Sequence, residues 1–171
     1  LYLSAVGTSA VALVVVTLTG GCASTKEKVQ PTVLRVHAEA ASSSAFTKKI
    51  KVFQTSSVEL VVDESPLLTE MDVEKATVME VLGGHALAIK FNQRGRWLLD
   101  SHTSLNVGRH LAVFVQYGSE PVKAQWLAAP LIARRISDGV MLFTPDAEPE
   151  AVEMIAKGLG EKPKKKKDGD W

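Results

Sequence analysis

The stretch that most constrains the fold runs from Asn106 to Phe143. Within it, Leu111-Ala112-Val113-Phe114-Val115 is apolar at consecutive positions, so both faces of a strand there must be covered. That predicts a central strand. After a turn at Tyr117-Gly118-Ser119 come a second β-prone run, Trp126 to Ile132, and a third, Val140 to Phe143. Asp138-Gly139 sits between β-prone residues, a pattern that predicts a hairpin with a type I′ turn. The rest of the chain must supply partner strands and covering helices.

Val33 to Ala38 alternates with the strand period, and Lys49 to Phe53 and Val58 to Val62 read as two further strands. Leu67 to Ala76 has helical character, with Thr69 as N-cap and Asp72 three residues on. Thr77 to Leu82 and His85 to Phe91 are β-prone runs joined by Gly83-Gly84, another hairpin signal. Asn92 is placed to cap a helix over Gln93 to Asn106 that ends against Gly108, with Trp97, Leu98, Ser101 and Leu105 as its inner stripe. A last helix begins near Asp146, tolerates Pro149 in its first turn, and buries Ala151, Val152, Ile155, Ala156 and Leu159. Hairpin-linked strands with helices between them predict an α+β domain. In it, two or three helices pack on one face of a largely antiparallel sheet.

Residues 1–25 carry no charged side chain, and Val6 to Leu18 is an apolar run that ends in Thr19-Gly20-Gly21-Cys22. Such a run followed by small residues reads as an export signal, short for a membrane span. The chain starts at Leu1 without a cationic segment, which places the expected true start upstream. Cys22 is the only cysteine, so no internal disulfide framework is available. Its setting resembles a bacterial lipobox, although Thr19 stands where Leu is usual. The resemblance implies a thiol that is lipidated and becomes the mature N-terminus. Each buried methylene of such an anchor contributes about 0.8 kcal/mol, and two or more chains hold a protein at a membrane. The expected organisation is a lipoprotein-type signal peptide over 1–21, a polar tether over 22–32, a folded domain over 33–160 and a disordered tail over 161–171. Ala23 lacks the acidic residue that favours inner-membrane retention, so the expected location is extracytoplasmic, at the periplasmic side of the outer membrane.

A wider resemblance follows from an ordered set of residues. Leu68-Thr69-x-x-Asp72-Val73-x-x-Ala76, Ile89-x-Phe91 with Gly95, and Thr103-x-x-Asn106-x-Gly108-Arg109-x-Leu111-Ala112 occur in sequence. Ala129-Pro130-x-Ile132, Gly139, Phe143-Thr144 and an Ala-rich final helix follow. Over about residues 66–160 this set resembles the head subdomain of the periplasmic domain in SecD-type protein-export subunits. The resemblance implies a detached head-like module outside the cytoplasm, in a family whose head is thought to contact emerging polypeptide. SecD-type proteins are multi-spanning, and this sequence has no apolar span beyond its leader. The proton-coupled movement of that family is therefore not carried over.

Little in the sequence points to catalysis. His37, His85, His102 and His110 form no metal-ligand spacing, so no metal or other cofactor is expected. Asp100 and His102 with Ser101 or Ser104 are the only residues arranged like a hydrolase, and no Gly-x-Ser-x-Gly elbow accompanies them. Arg109 reads either as a partner contact or as a solvated residue beside a cap formed by Asn106 and Gly108. Trp126, like Trp97, reads as a core or boundary aromatic or as a partner contact. The net charge of +1 gives no general attraction to nucleic acid. The last ten residues hold five lysines, Lys162, Lys164, Lys165, Lys166 and Lys167, against two Asp. Such a tail gains roughly 1 kcal/mol per lysine at an anionic membrane surface. Two functions are expected from this: a non-enzymatic module that binds extended or unfolded polypeptide, or a structural lipoprotein that tethers through its lysines.

Overall fold

The computed structural model describes residues 31–41, 45–53 and 57–160. The leader, Cys22, most of the tether and the lysine tail lie outside them. Among the described residues nine strands and two α-helices follow one another, and every strand pairing there is antiparallel. The α+β class with a largely antiparallel framework is thus the one the sequence dictates.

Strand β7 (Leu111–Tyr117) is central, as its apolar run requires. It pairs on one side with β1 (Val33–Ala38), with Leu34 opposite Val115 and Val36 opposite Val113. On its other side lies β8 (Lys123–Ala128), and the short β4 (Leu68–Thr69) completes the sheet on the far side of β1. The two faces of β7 enter different cores. Leu111, Val113 and Val115 join the main core, whereas Ala112 joins a second, smaller one.

The main core is closed by a three-stranded sheet and both helices. That sheet orders β5 (Val73–Val81), β6 (Gly84–Phe91) and β9 (Val140–Phe143), with β6 in the middle. A two-residue turn at Leu82-Gly83 joins β5 to β6, one residue before the expected Gly83-Gly84, since Gly84 already pairs with Val81. From β6, Leu87, Ile89 and Phe91 face inward to meet Met141 and Phe143 of β9. Helix α2 (Pro149–Gly160) starts on its proline and buries Val152, Ile155, Ala156 and Leu159. The second core is a hairpin of β2 (Thr47–Val52) and β3 (Val58–Asp63) laid over the other face of β7 and β8. Ile50, Val52, Leu60 and Val62 seal it.

Three expectations are corrected. The helix expected over Leu67 to Ala76 is a single 3₁₀ turn, Glu70–Asp72, after which the chain is already strand. The capping signal is real. Asp72 Oδ2 accepts from Thr69 N at 3.0 Å and Thr69 Oγ1 at 3.3 Å, but pairing with β6 takes over at Val73.

The Asp138-Gly139 hairpin is also absent. Residues 133–139 form no strand, and β9 pairs with β6 rather than with the preceding run. The segment is tied to α1 (Gln93–Leu105) instead, through Ile136 N to Thr103 Oγ1 at 2.9 Å and Arg96 Nε to Ser137 O at 2.7 Å.

Third, α1 begins at its Asn92 cap as expected, but its buried stripe is Gly95, Leu99 and Thr103. Trp97 and Leu105 point to solvent. Gly95 lets the helix sit close: a Cβ there would lie 2.9 Å from that of Phe91 and 3.0 Å from that of Asp72. Small side chains, invisible to an apolar-stripe reading, set this helix's rotation.

Candidate functional site

β9 is an open sheet edge whose chemistry follows from its phase. Phe91 donates its N–H to Gly139 O at 2.9 Å, and Met141 and Phe143 lie opposite Ile89 and Leu87. Backbone groups in an antiparallel ladder alternate sides, so residues 139, 141 and 143 bond to β6. Val140 and Leu142 turn theirs the other way. The Val140 N–H is held by Asp138 Oδ1 at 3.0 Å. The Leu142 N–H and C=O have no partner among the described residues. The side chains alternate likewise: Met141 and Phe143 are buried, while Val140 and Leu142 face solvent, Leu142 at 55% exposure. A groove of about 320 Å³ runs between this edge and the 131–138 segment, lined by Leu131, Ile136, Val140 and Leu142 among others.

The other edges are guarded. In β2 the bond from Glu64 N to Phe46 O sets the phase, so Lys49 and Lys51 stand at its outer side. Lysines there oppose edge-to-edge pairing. β8 is covered by the 145–148 segment, through Asp146 N to Leu127 O at 2.7 Å and Gln125 Nε2 to Asp146 O at 3.3 Å. β5 carries Glu74, Lys75 and Glu80, and Glu74 pairs with Lys90 across the sheet at 2.8 Å. β5 also leaves Met79 and Val81 exposed, but of these edges β9 alone carries no charged side chain.

A second feature adjoins it. A wide groove of about 920 Å³ along the first turns of α1 is lined by Arg94, Arg96, Trp97, Asp100, Arg135 and Ser137, among others. Each guanidinium is fixed from one side. Arg94 pairs with the buried carboxylate of Asp72, and Arg135 grips Asp100 with two nitrogens, one at 2.7 Å. Arg96 donates its Nε to Ser137 O, and its terminal nitrogens have no partner among the described residues. The hydrogen bonds from Arg135 hold the Asp100 carboxyl below the usual carboxylate range. Trp97, 67% exposed, stands beside them. The sequence reading missed this site because it put Trp97 inside; an indole flanked by arginines at one helix start was the available signal.

The residues singled out from the sequence fall elsewhere. Trp126 is half-buried at the second core, with its ring 5.4 Å from that of His37 and 5.2 Å from that of Phe114. Lys48 Nζ covers it at 5.2 Å. Arg109 is exposed after the turn at Gly108, with only a 3.5 Å approach to Glu39 O.

The hydrolase arrangement does not assemble among the described residues. The Asp100 carboxylate is engaged by Arg135, Ser104 Oγ donates to Ser101 O at 2.8 Å, and His102 Nε2 is buried without a partner. Desolvation keeps the His102 ring below its usual pKa, opposed by nearby Asp63. Cys22 and the tail lysines lie outside the described residues.

The fold is that of an antiparallel α+β domain with a SecD-like arrangement. No family model and no curated protein matches the sequence. Among solved structures, the chain is similar to a membrane component SecDF that enhances protein export, with a TM-score of 0.52 at 17% identity. It is also similar to SecDF in a super-membrane-facing form, with a TM-score of 0.54 at 17% identity. Each likeness covers 77% of this chain, against 63% of the first structure's chain and 19% of the second's. At that identity the likeness is one of fold. Among the described residues no helix is long and apolar enough to cross a membrane.

Proposed function

We propose that this chain is a protein-export-related, extracytoplasmic module that binds extended polypeptide along β9, without catalysing a reaction on it. The carrying observation is the Leu142 edge, which offers unpaired backbone groups flanked by exposed aliphatic side chains. A polypeptide strand added there gains affinity from main-chain hydrogen bonds and loose selectivity from alternate side chains in the groove. The SecD-like fold supports the reading, since the SecDF it resembles enhances protein export.

The test exploits the phase of the strand. The Leu142 N–H faces outward, so Leu142→Pro removes the edge donor while leaving the bonds to β6 in place. Titration with an unfolded polypeptide should shift the amide signals of β9 in the full chain, and the proline variant should lose that response at unchanged stability. Shifts confined to β2 would move the binding edge there, and binding that needs residues 161–171 and vanishes in moderate salt would replace this reading with the lysine-tether function.

The same proposal places the chain on a membrane through lipidated Cys22, on the periplasmic side of the outer membrane. Cys22→Ala should then move the protein from the detergent phase to the aqueous phase, and unchanged partitioning would remove the anchor from the proposal.

A further inference from the structure

The groove at β9 and the arginine groove at α1 adjoin at the 135–137 segment. Arg135 and Ser137 line both. A strand lying along β9 advances about 3.3 Å per residue. One residue before Val140 is Gly139, beside which the stem of Arg96 is seated. We infer, resting on the polypeptide-binding reading above, that the Arg96–Trp97–Arg135 groove takes an acidic flank of the bound polypeptide. This chain would thereby favour segments whose aliphatic stretch is followed or preceded by carboxylates.

The chemistry of the groove carries this choice. Three guanidinium groups face Asp100 and the buried Asp72, which leaves one positive charge over. Their orientations are set by protein acceptors, so little side-chain entropy is lost when a carboxylate arrives. Arg96 is the best placed. Ser137 O holds its Nε, and its terminal nitrogens are left for a planar, bidentate acceptor. Its Cβ and Cγ lie only 2.8 Å from where a Cβ on Gly139 would be, so the guanidinium stem is seated where the chain turns into β9. Trp97 supplies an apolar wall that lowers the local dielectric and covers the carbon stem of a Glu. The free edge and the arginine groove thus form one composite surface, aliphatic at one end and cationic at the other.

Two peptides test the inference on the full chain, kept soluble in nonionic detergent. Both have the same six-residue stretch of alternating aliphatic residues; one carries Glu on both flanks and the other Gln. The Glu-flanked peptide should bind about five- to tenfold more tightly at low ionic strength, the scale of one or two partly desolvated charge pairs. It alone should shift the indole N–H resonance of Trp97. Arg96→Gln should abolish the preference, read as the ratio of the two affinities, while Arg96→Lys keeps part of it. Equal affinities for the two peptides would overturn the inference and leave edge binding standing, with Leu142→Pro still weakening both. No binding of either peptide would overturn both readings. Arg96-dependent binding to vesicles of anionic phospholipid, without any flank preference, would overturn it in favour of a lipid headgroup.

Discussion

Gly139 shows how a residue can be read correctly for the wrong reason. The sequence pattern Asp138-Gly139 suggests a type I′ hairpin, whereas the structure has none. Gly139 nevertheless has φ of +74°, and an added Cβ would lie 2.8 Å from two side-chain carbons of Arg96. The glycine is required because α1 crosses the chain there, so both backbone strain and helix packing oppose a side chain. Gly139→Val should cost roughly 1–3 kcal/mol from each source. Gly139→Ala should be nearly as costly, because the Cβ alone makes the clash. Thermal unfolding checks this: each kcal/mol lost should lower the midpoint by a few degrees in a domain of this size. An unchanged midpoint for Gly139→Ala would show that α1 gives way.

At the scale of elements, legibility in the sequence tracks how locally an element is determined. β7 and α2 were readable because their apolar patterns survive burial unchanged: Leu111 to Val115 in one, the Val152-Ile155-Ala156-Leu159 stripe in the other. Asn92 was readable because its cap is local; its side chain accepts from Gly95 N at 3.0 Å. The 3₁₀ turn was not, since the outcome at Val73 depends on β6 pairing from across the Leu82-Gly83 turn. The β9 edge was only half legible. Val140 to Phe143 was expected as a strand, but which of its residues face outward depends on β6 as partner.

The β2–β3 hairpin is the element with least support. A two-stranded hairpin is marginal alone, and four buried aliphatics hold this one, each worth roughly 1.5–3 kcal/mol. Ile50→Ala should therefore remove about 2–5 kcal/mol from the second core. Amide exchange should then quicken across β2 and β3 while β7 and α2 keep their protection. Uniform loss of protection would mean that the two cores unfold as one.

For the whole molecule, the junction between the two cores is where acid should act. His37, buried on β1, has its Nδ1 2.8 Å from Asp63 O at the end of β3, and its ring packs against Trp126. Burial lowers its pKa below the ordinary histidine value; the Asp63 carbonyl opposes this, and Lys48 and Arg35 reinforce it. His102 on α1 is lowered for the same first reason, with Arg109 reinforcing and Asp63 opposing. Both rings are therefore neutral in the folded protein over a pH range in which the unfolded chain takes up protons. A depressed histidine pKa gives stability that is full above about 6.5 and is lost as pH falls through that value. Asp100 adds a loss of the same sign only lower, below about pH 4. The unfolding midpoint should thus fall between pH 7.5 and pH 5. The β2–β3 hairpin should loosen first, since His37 is bonded to Asp63 O at its end. His102→Leu removes a buried nitrogen without a partner, so it should hold or raise the midpoint at pH 7.5 and shrink the fall at pH 5. A midpoint that stays flat from pH 7.5 to pH 5 in the unmodified chain would mean that neither ring is shielded from water as the structure places it.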